Sequence, residues 1–284
     1  MPLQNYQIRL MRRQELDIAL QWAADEGWNP GLHDAESFYA ADPRGFLVGE
    51  LDGEPIASIS AVRYSADFGF LGLYIVKPEY RKQGYGMRIW QAALEHLGSS
   101  SIGLDGVVAQ LDNYRRSGFK LVHRNVRYQG RALKRSIADD AGIVPLSQVS
   151  ARLILSYDRC FFPVGRTTFL RAWLNQPDAY ALGLMQEDGL LGYGLIRPCQ
   201  AGYKIGPLYA EHPVGAASLL IALMQHAPEG SPVFLDIPET NVKAIKLARH
   251  YGMAPIFETA RMYKGRLLLP DIERTYGITS FELG

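Results

Sequence analysis

Residues 6–131 alternate between the apolar spacing of strands and that of helices. "YQIRL" (Tyr6–Leu10) predicts a short strand, and Arg12–Glu26 carries a helical pattern closed by Gly27. "EGWNPGLHD" then turns the chain, with Asn29, Pro30 and Gly31 each favouring a turn for its own backbone reason. Three strands follow, "GFLVGEL", "PIASISAVRY" and "FGFLGLYIV", the first two joined at Asp52-Gly53 as a hairpin. Met87–Leu97 predicts a helix with Met87, Trp90, Leu94 and Leu97 on one face and Gly98 as its stop. A strand near Ser101–Leu104, a helix to Ser117 and the strand "KLVHRNVRY" complete the unit.

The pattern loosens between Gly130 and Asp158, around "SIADDAGIVP", and then the same order returns. "YALGLMQE", "GLLGYGLIRP" and "GYKIGPLYA" repeat the three strands, and "GAASLLIALMQHA" repeats the helix. "PVFLDI", "NVKAIKLARHYG" and "PIFETARMYKG" repeat the closing strand, helix and strand. Wording recurs as well, "SGFKLVHRNVRYQG" against "YGMAPIFETARMYKG". The chain therefore reads as an internal duplication of an α/β unit (mixed α+β), with a first domain at 1–132, a linker at 133–144 and a second domain at 145–284. The tail from Arg266 to Gly284 is too apolar for a free terminus and is expected to pack back on one of the domains.

Composition changes this picture little. A chain of 284 residues with 48% apolar and 21% charged residues has the length and make-up of two globular domains. Its formal net charge of +1 argues against bulk neutralisation of nucleic-acid phosphates. Cys160 and Cys199 are too few for a disulfide scaffold or a cysteine-based metal site, so no metal is expected. The start lacks a signal pattern, and no apolar run approaches the roughly 18 residues of a membrane span. A cytoplasmic protein with reduced thiols and no membrane or nucleic-acid partner is the expectation. A homodimer stays open.

The candidate chemistry lies in "KPEYRKQGYGMRIW", Lys77–Trp90, where basic residues and two glycines join an apolar strand to a helix. A helix N-terminus presents unpaired N–H groups and the positive end of a dipole, so it attracts anions. Glycines let the backbone approach phosphate oxygens with no Cβ in the way. Arg81-x-x-Gly84-x-Gly86 thus makes chemical sense as a pyrophosphate cradle, and "YRRSGF" follows further along.

With Val76 and Pro78 ahead of it, and Tyr114, Gly118 and Phe119 behind, this stretch resembles the GCN5-related N-acetyltransferases (GNAT) over about residues 5–130. That family often has Asn and Ala seven and four residues before the tyrosine, where this chain has Val107 and Gln110. The departure concerns local contacts of the coenzyme arm and leaves the fold untouched. The resemblance implies two tandem GNAT folds, each a mixed central sheet flanked by helices, with acetyl-CoA in the splay between two parallel strands. Backbone N–H groups of Gln83, Gly84, Tyr85, Gly86 and Met87 would hold the pyrophosphate, with Arg81 and Lys82 beside it. Main chain at Tyr74, Ile75 and Val76 would hold the pantetheine and the thioester carbonyl. Tyr114 would protonate the departing thiolate as a general acid.

No motif fixes the base for the acceptor amine. Glu26 is the candidate, read equally well as a solvated charge at a helix end; Trp28 divides in the same way between an acceptor wall and core packing. His33 and His123 lack a partner pattern and read as structural. In the second unit the cradle becomes His212-x-x-Gly215-x-Ala217 and the acid tyrosine's place is Ala248, which cannot protonate a thiolate. Asn241 and Ala244 there do match the family, so the second unit reads as a degenerate GNAT-like domain. Arg197, Lys204, Asp236 and Glu239 gather near its cleft edges and read as a solvated rim sooner than a ligand pocket.

The expected activity is transfer of acetyl to a primary amine of a small-molecule or peptide acceptor, by direct attack in a ternary complex. Polyamine, amino acid, antibiotic and protein N-terminus all stay open as acceptors. The alternative from another class is a non-catalytic acyl-CoA-binding sensor, against which Tyr114 argues. An aminoacyl- or lipid-type transferase of paired domains, as in peptidoglycan-bridge enzymes, is disfavoured by the lack of a large basic face.

Overall fold

The computed structural model describes residues 5–134, 142–187, 189–266 and 270–284. The first repeat runs β1 (Tyr6–Leu10), α1 (Arg13–Asp25), α2 (Asp34–Ala41), β2 (Phe46–Leu51), β3 (Glu54–Arg63) and β4 (Phe68–Val76). It continues with α3 (Tyr85–Leu97), β5 (Ser101–Val107), α4 (Leu111–Arg116) and β6 (Lys120–Arg131). The second runs β7 (Ile143–Pro145), α5 (Ala151–Asp158), α6 (Thr167–Leu174), β8 (Tyr180–Gln186), β9 (Gly189–Pro198) and β10 (Tyr203–Ala210). It closes with α7 (Pro213–Met224), β11 (Pro232–Pro238), α8 (Val242–His250), β12 (Ala254–Lys264) and β13 (Thr275–Gly277). Most of the expected linker, 135–141, lies outside the described residues.

The predicted strands all form, for the expected reason: β3 and β4 are buried almost end to end, which an apolar run without turn residues requires. Asp52 and Gly53 both take positive φ, +51° and +91°, as a two-residue hairpin turn demands. Helices α2, α5 and α6, of eight residues each, are absent from the elements expected above. Met87 is corrected too. It is 55% exposed, and the packed face of α3 is Ile89, Trp90, Ala93 and Leu97.

The two repeats do not close their own sheets. β6 pairs antiparallel with β11, in register from Asn125↔Pro238 to Arg131↔Pro232. β12 of the second repeat pairs with β5 of the first, from Ile102↔Lys264 to Val107↔Thr259, and with β6 on its other side. Each repeat thus lends its closing strand to the other, and one continuous sheet results, in the order β1-β2-β3-β4-β5-β12-β6-β11-β10-β9-β8-β7.

Buried charges rivet this joint. Arg127 of β6 forms a two-pronged pair with Asp236 of β11, at 2.7 and 2.8 Å. Arg197 of β9 does the same with Asp34 of α2, at 2.7 and 3.1 Å. Lys204 Nζ donates to the Asn29 carbonyl at 2.8 Å. Arg197, Lys204 and Asp236 are therefore not a solvated rim; they lie inside, with exposures of 0%, 2% and 2%. Desolvation of such groups is offset only because each finds a close partner. Glu239, by contrast, is exposed, and accepts from the Arg124 amide.

The tail packs back as expected, and its path is specific. β13 pairs antiparallel with β10, at Leu208↔Gly277, and the Ile278 amide donates to the Asp236 carbonyl of β11. The tail thereby enters the gap between β10 and β11. From Tyr276 to Gly284 it is buried throughout.

Candidate active site

Strands β4 and β5 run parallel and are paired only from Phe68↔Ser101 to Leu71↔Leu104; beyond that they diverge. The divergence opens a cleft of about 560 Å³, walled by Gly72–Val76 on one side and Asp105–Val107 on the other. Its inner end meets Phe257 and Thr259 of β12 and Phe281 and Glu282 of the tail. At the mouth of the divergence β4 is bulged against β3, where the register slips between Ser58 and Ser60. Leu73 takes φ = +46° there, a strained value for a leucine, and the Ser58 hydroxyl fixes its carbonyl at 2.8 Å. Such a bulge re-aims the main chain at Leu73–Tyr74 into the cleft.

The outer end of the cleft is the start of α3. Gly84 caps it with φ = +89°, and Lys82 at φ = +62° makes the preceding turn equally tight. Any Cβ on Gly86 would stand 2.7 Å from the Tyr74 hydroxyl oxygen and 3.1 Å from Val76. Both glycines are thus required, one by conformation and one by space. Arg81 lies across the entrance, its Nε donating to the Val76 carbonyl at 2.8 Å. Tyr74, Ile75, Val76, Arg81, Lys82, Gly84, Gly86 and Met87 all line the cleft. Gln83 and Tyr85 do not: Gln83 is exposed, and Tyr85 turns its ring into the core against Tyr6. They can offer main-chain amides at the helix start. The arrangement of backbone, glycines and positive dipole fits an acyl-CoA pyrophosphate.

Tyr114 lines the opposite wall at 7% exposure, its ring laid over Gly106, where a Cβ would come within 2.2 Å of it. Trp90 packs beside it at 5.5 Å between ring centroids. Burial, with Tyr74 nearby, pushes its pKa well above the ordinary tyrosine value. Glu26 also faces the cleft, in an ion pair with Arg81 at the entrance. Trp28 lines the cleft as well, and its carbonyl accepts from Arg127 at 2.7 Å. His123 lies buried outside the cleft lining, its pKa pushed down to about 4 by burial and by Arg261. His33 sits 3.5 Å from Asp178.

Two acidic residues of the cleft escaped the sequence reading. Asp105 is held by Arg261 of β12 at 2.8 and 2.5 Å and by the Asn125 amide at 2.8 Å. Glu282 arrives from the tail. Neither belongs to a local motif: Asp105 stands on β5 itself, where the strand exchange supplies its partner Arg261, and Glu282 is placed by the tail's path.

Among the described residues, the corresponding gap of the second repeat is occupied by the chain itself. β10 and β11 pair in parallel from Tyr203↔Val233 to Ile205↔Leu235 and then diverge, but β13 and the residues after it fill the gap. Asn241, at the family's asparagine position, spends its side chain on the tail, donating to the carbonyls of Ile272, Glu273 and Thr275. Ala248 is fully buried.

Two family models match the chain: the acetyltransferase (GNAT) family over residues 13–119 and an acetyltransferase (GNAT) domain over residues 154–277. Holothin acyltransferase of Pseudoalteromonas sp. (strain SANK 73390) is 31% identical over 271 residues, covering 95% of this chain and 92% of its own. A solved structure from Pyrococcus horikoshii, provisionally named an acetyltransferase, superposes over 100% of this chain and 98% of its own, with TM-score 0.83 and 24% identity. A tandem GNAT protein from the clavulanic acid biosynthesis pathway covers 93% of this chain and 100% of its own, with TM-score 0.64 and 14% identity.

Proposed function

The chain belongs to the GCN5-related N-acetyltransferase family and is an acyltransferase of two tandem GNAT folds, and from that premise we propose that it acetylates a primary amine from acetyl-CoA in its first repeat. The observation that carries this reading is the continuity of one cleft from the glycine cradle at Gly84 and Gly86 to the buried phenol of Tyr114.

The α3 start binds the pyrophosphate, with Arg81 and Lys82 beside it. The acyl-CoA supplies an activated thioester, and the bulged main chain at Leu73–Tyr74 is the donor surface for its carbonyl. Tyr114 gives its proton to the sulphur as the C–S bond breaks, and attack by the amine is direct. One relative matched above is named for its acylation of holothin, and we take an amine-bearing small molecule as the first acceptor class to try here. The second repeat shapes the site and carries no chemistry of its own.

The test is release of free thiol from acetyl-CoA by the purified protein against a panel of primary amines, with the acetylated product identified by mass. Amine-dependent thiol release supports the reading. Binding of acetyl-CoA without turnover of any amine would favour a binding-only protein.

A further inference from the structure

The tail that fills the second repeat's gap ends inside the first repeat's cleft, and the residue it brings there is Glu282. This side chain is 3% exposed and lines the cleft, yet among the described residues neither carboxylate oxygen has a hydrogen-bond partner. Buried polar groups are almost always paired, so an orphaned carboxylate calls for an explanation. The other two acids of the cleft are committed, Glu26 to Arg81 and Asp105 to Arg261.

Its position is set from both sides. A Cβ on Gly72 would come within 2.0 Å of the Glu282 carbonyl oxygen, so the tail lies directly against β4, one residue before the Leu73 bulge. Past it, Tyr64 donates to the Leu283 carbonyl and Arg166 to the Gly284 carbonyl, both at 3.0 Å. Thr259, whose hydroxyl is also unpaired among the described residues, lines the same end of the cleft with Phe257 and Phe281. An alkylammonium brings three N–H donors to the unpaired carboxylate and hydroxyl, beside aromatic rings that already carry a cation, the Arg127 guanidinium lying 4.7 Å from the Phe281 centroid and 5.8 Å from that of Phe257. Behind the cleft, Arg127, Arg197 and Lys204 feel the charge of Glu282, but none of them hydrogen-bonds it: Arg127 is taken by Asp236 and the Trp28 carbonyl, Lys204 donates to the Asn29 carbonyl, and Arg197 holds Asp34 through Nε and Nη2, with Nη1 unpaired among the described residues.

We propose that Glu282 is the acceptor-site carboxylate of the first repeat, binding the acceptor as an alkylammonium and taking the proton that frees its nitrogen for attack. The proposal rests on the acetyl-transfer reading above. One proton of the ammonium passes to Glu282 and later to solvent. The nitrogen forms the C–N bond as the C–S bond breaks, Tyr114 protonates the sulphur, and the second proton lost by nitrogen restores Tyr114. Atoms and charge balance. The acceptor class is a basic amine on an apolar or aromatic body, not an amine that is neutral at neutral pH.

Benzylamine, protonated at neutral pH, and aniline, neutral there, serve as probes of the full-length protein. Calorimetry in the presence of CoA is expected to show benzylammonium binding weakened about tenfold or more in Glu282→Gln and partly recovered in Glu282→Asp. Benzylamine turnover should fall by about 10²–10⁴-fold in Glu282→Gln, with aniline turnover far less affected. Acetyl-CoA affinity and the melting temperature, measured on the same samples, are expected to hold. Equal losses for both amines, unchanged benzylammonium binding in Glu282→Gln, or no alkylammonium binding by the wild type would overturn the proposal. Failure of the wild type to bind acetyl-CoA would instead overturn the reading beneath it.

Discussion

The two strand gaps of this molecule share one geometry and differ in what occupies it. Between β4 and β5 the pairing ends at Leu71↔Leu104 and a cleft opens. Between β10 and β11 it ends at Ile205↔Leu235, and the chain's own tail takes the space, hydrogen-bonded to both sides. The helix starts differ in parallel. α3 begins at a left-handed glycine with exposed basic neighbours, whereas α7 begins at His212 and Pro213, and the proline lacks one of the N–H groups a phosphate would use. Tyr114 on one side answers to buried Ala248 on the other. A splayed strand pair is therefore a socket that either a cofactor arm or a peptide segment can fill.

The largest expected effect comes from blocking the open socket. Gly84→Glu puts a side chain and a negative charge on the left-handed cap, and in the full-length protein acetyl-CoA binding and turnover should both vanish. Appreciable residual turnover would show that the second repeat works as an enzyme and break the comparison.

Next is Tyr114→Phe, expected to lower kcat about 10²–10⁴-fold while leaving acetyl-CoA affinity nearly unchanged. Because burial raises the pKa of Tyr114, the acid form persists as pH rises, and the alkaline loss of kcat should lie above the ordinary tyrosine value. A pH–rate profile that falls off lower, and is unaltered in Tyr114→Phe, would assign the proton donor elsewhere.

The smallest effect concerns the joint and not the chemistry. Asp34→Asn leaves the fully buried Arg197 without its counter-charge, and unfolding by denaturant should show a loss of about 3–5 kcal/mol. Burial alone would raise the pKa of Asp34, but Arg197 outweighs it and holds it below the ordinary value. The stabilisation is therefore present above the ordinary aspartate pKa and lost as pH falls through the lowered one. Wild type should lose stability in that acid window and Asp34→Asn should lose less; parallel acid curves would count against the pair.

The apolar runs of β3 and β4, the hairpin glycine and the Arg81–Gly86 turn could be read directly, because each is dictated by neighbours in sequence. The exchange of β6 and β12 could not. "KLVHRNVRY" and "PIFETARMYKG" have similar patterning, so nothing local says which sheet either strand will close. For the same reason Arg197, Lys204 and Asp236 looked like surface charges: sequence displays a charge but not its partner across the joint. Glu282 was hidden most completely, since its place in the cleft depends on the tail threading a gap in the other repeat.

The central claim is that one socket takes a cofactor and the other is closed by the protein itself. Titration of acetyl-CoA into the full-length wild type by calorimetry tests it most directly. One site per chain, abolished in Gly84→Glu, is the result predicted. Two sites per chain, or one that survives Gly84→Glu, would contradict it.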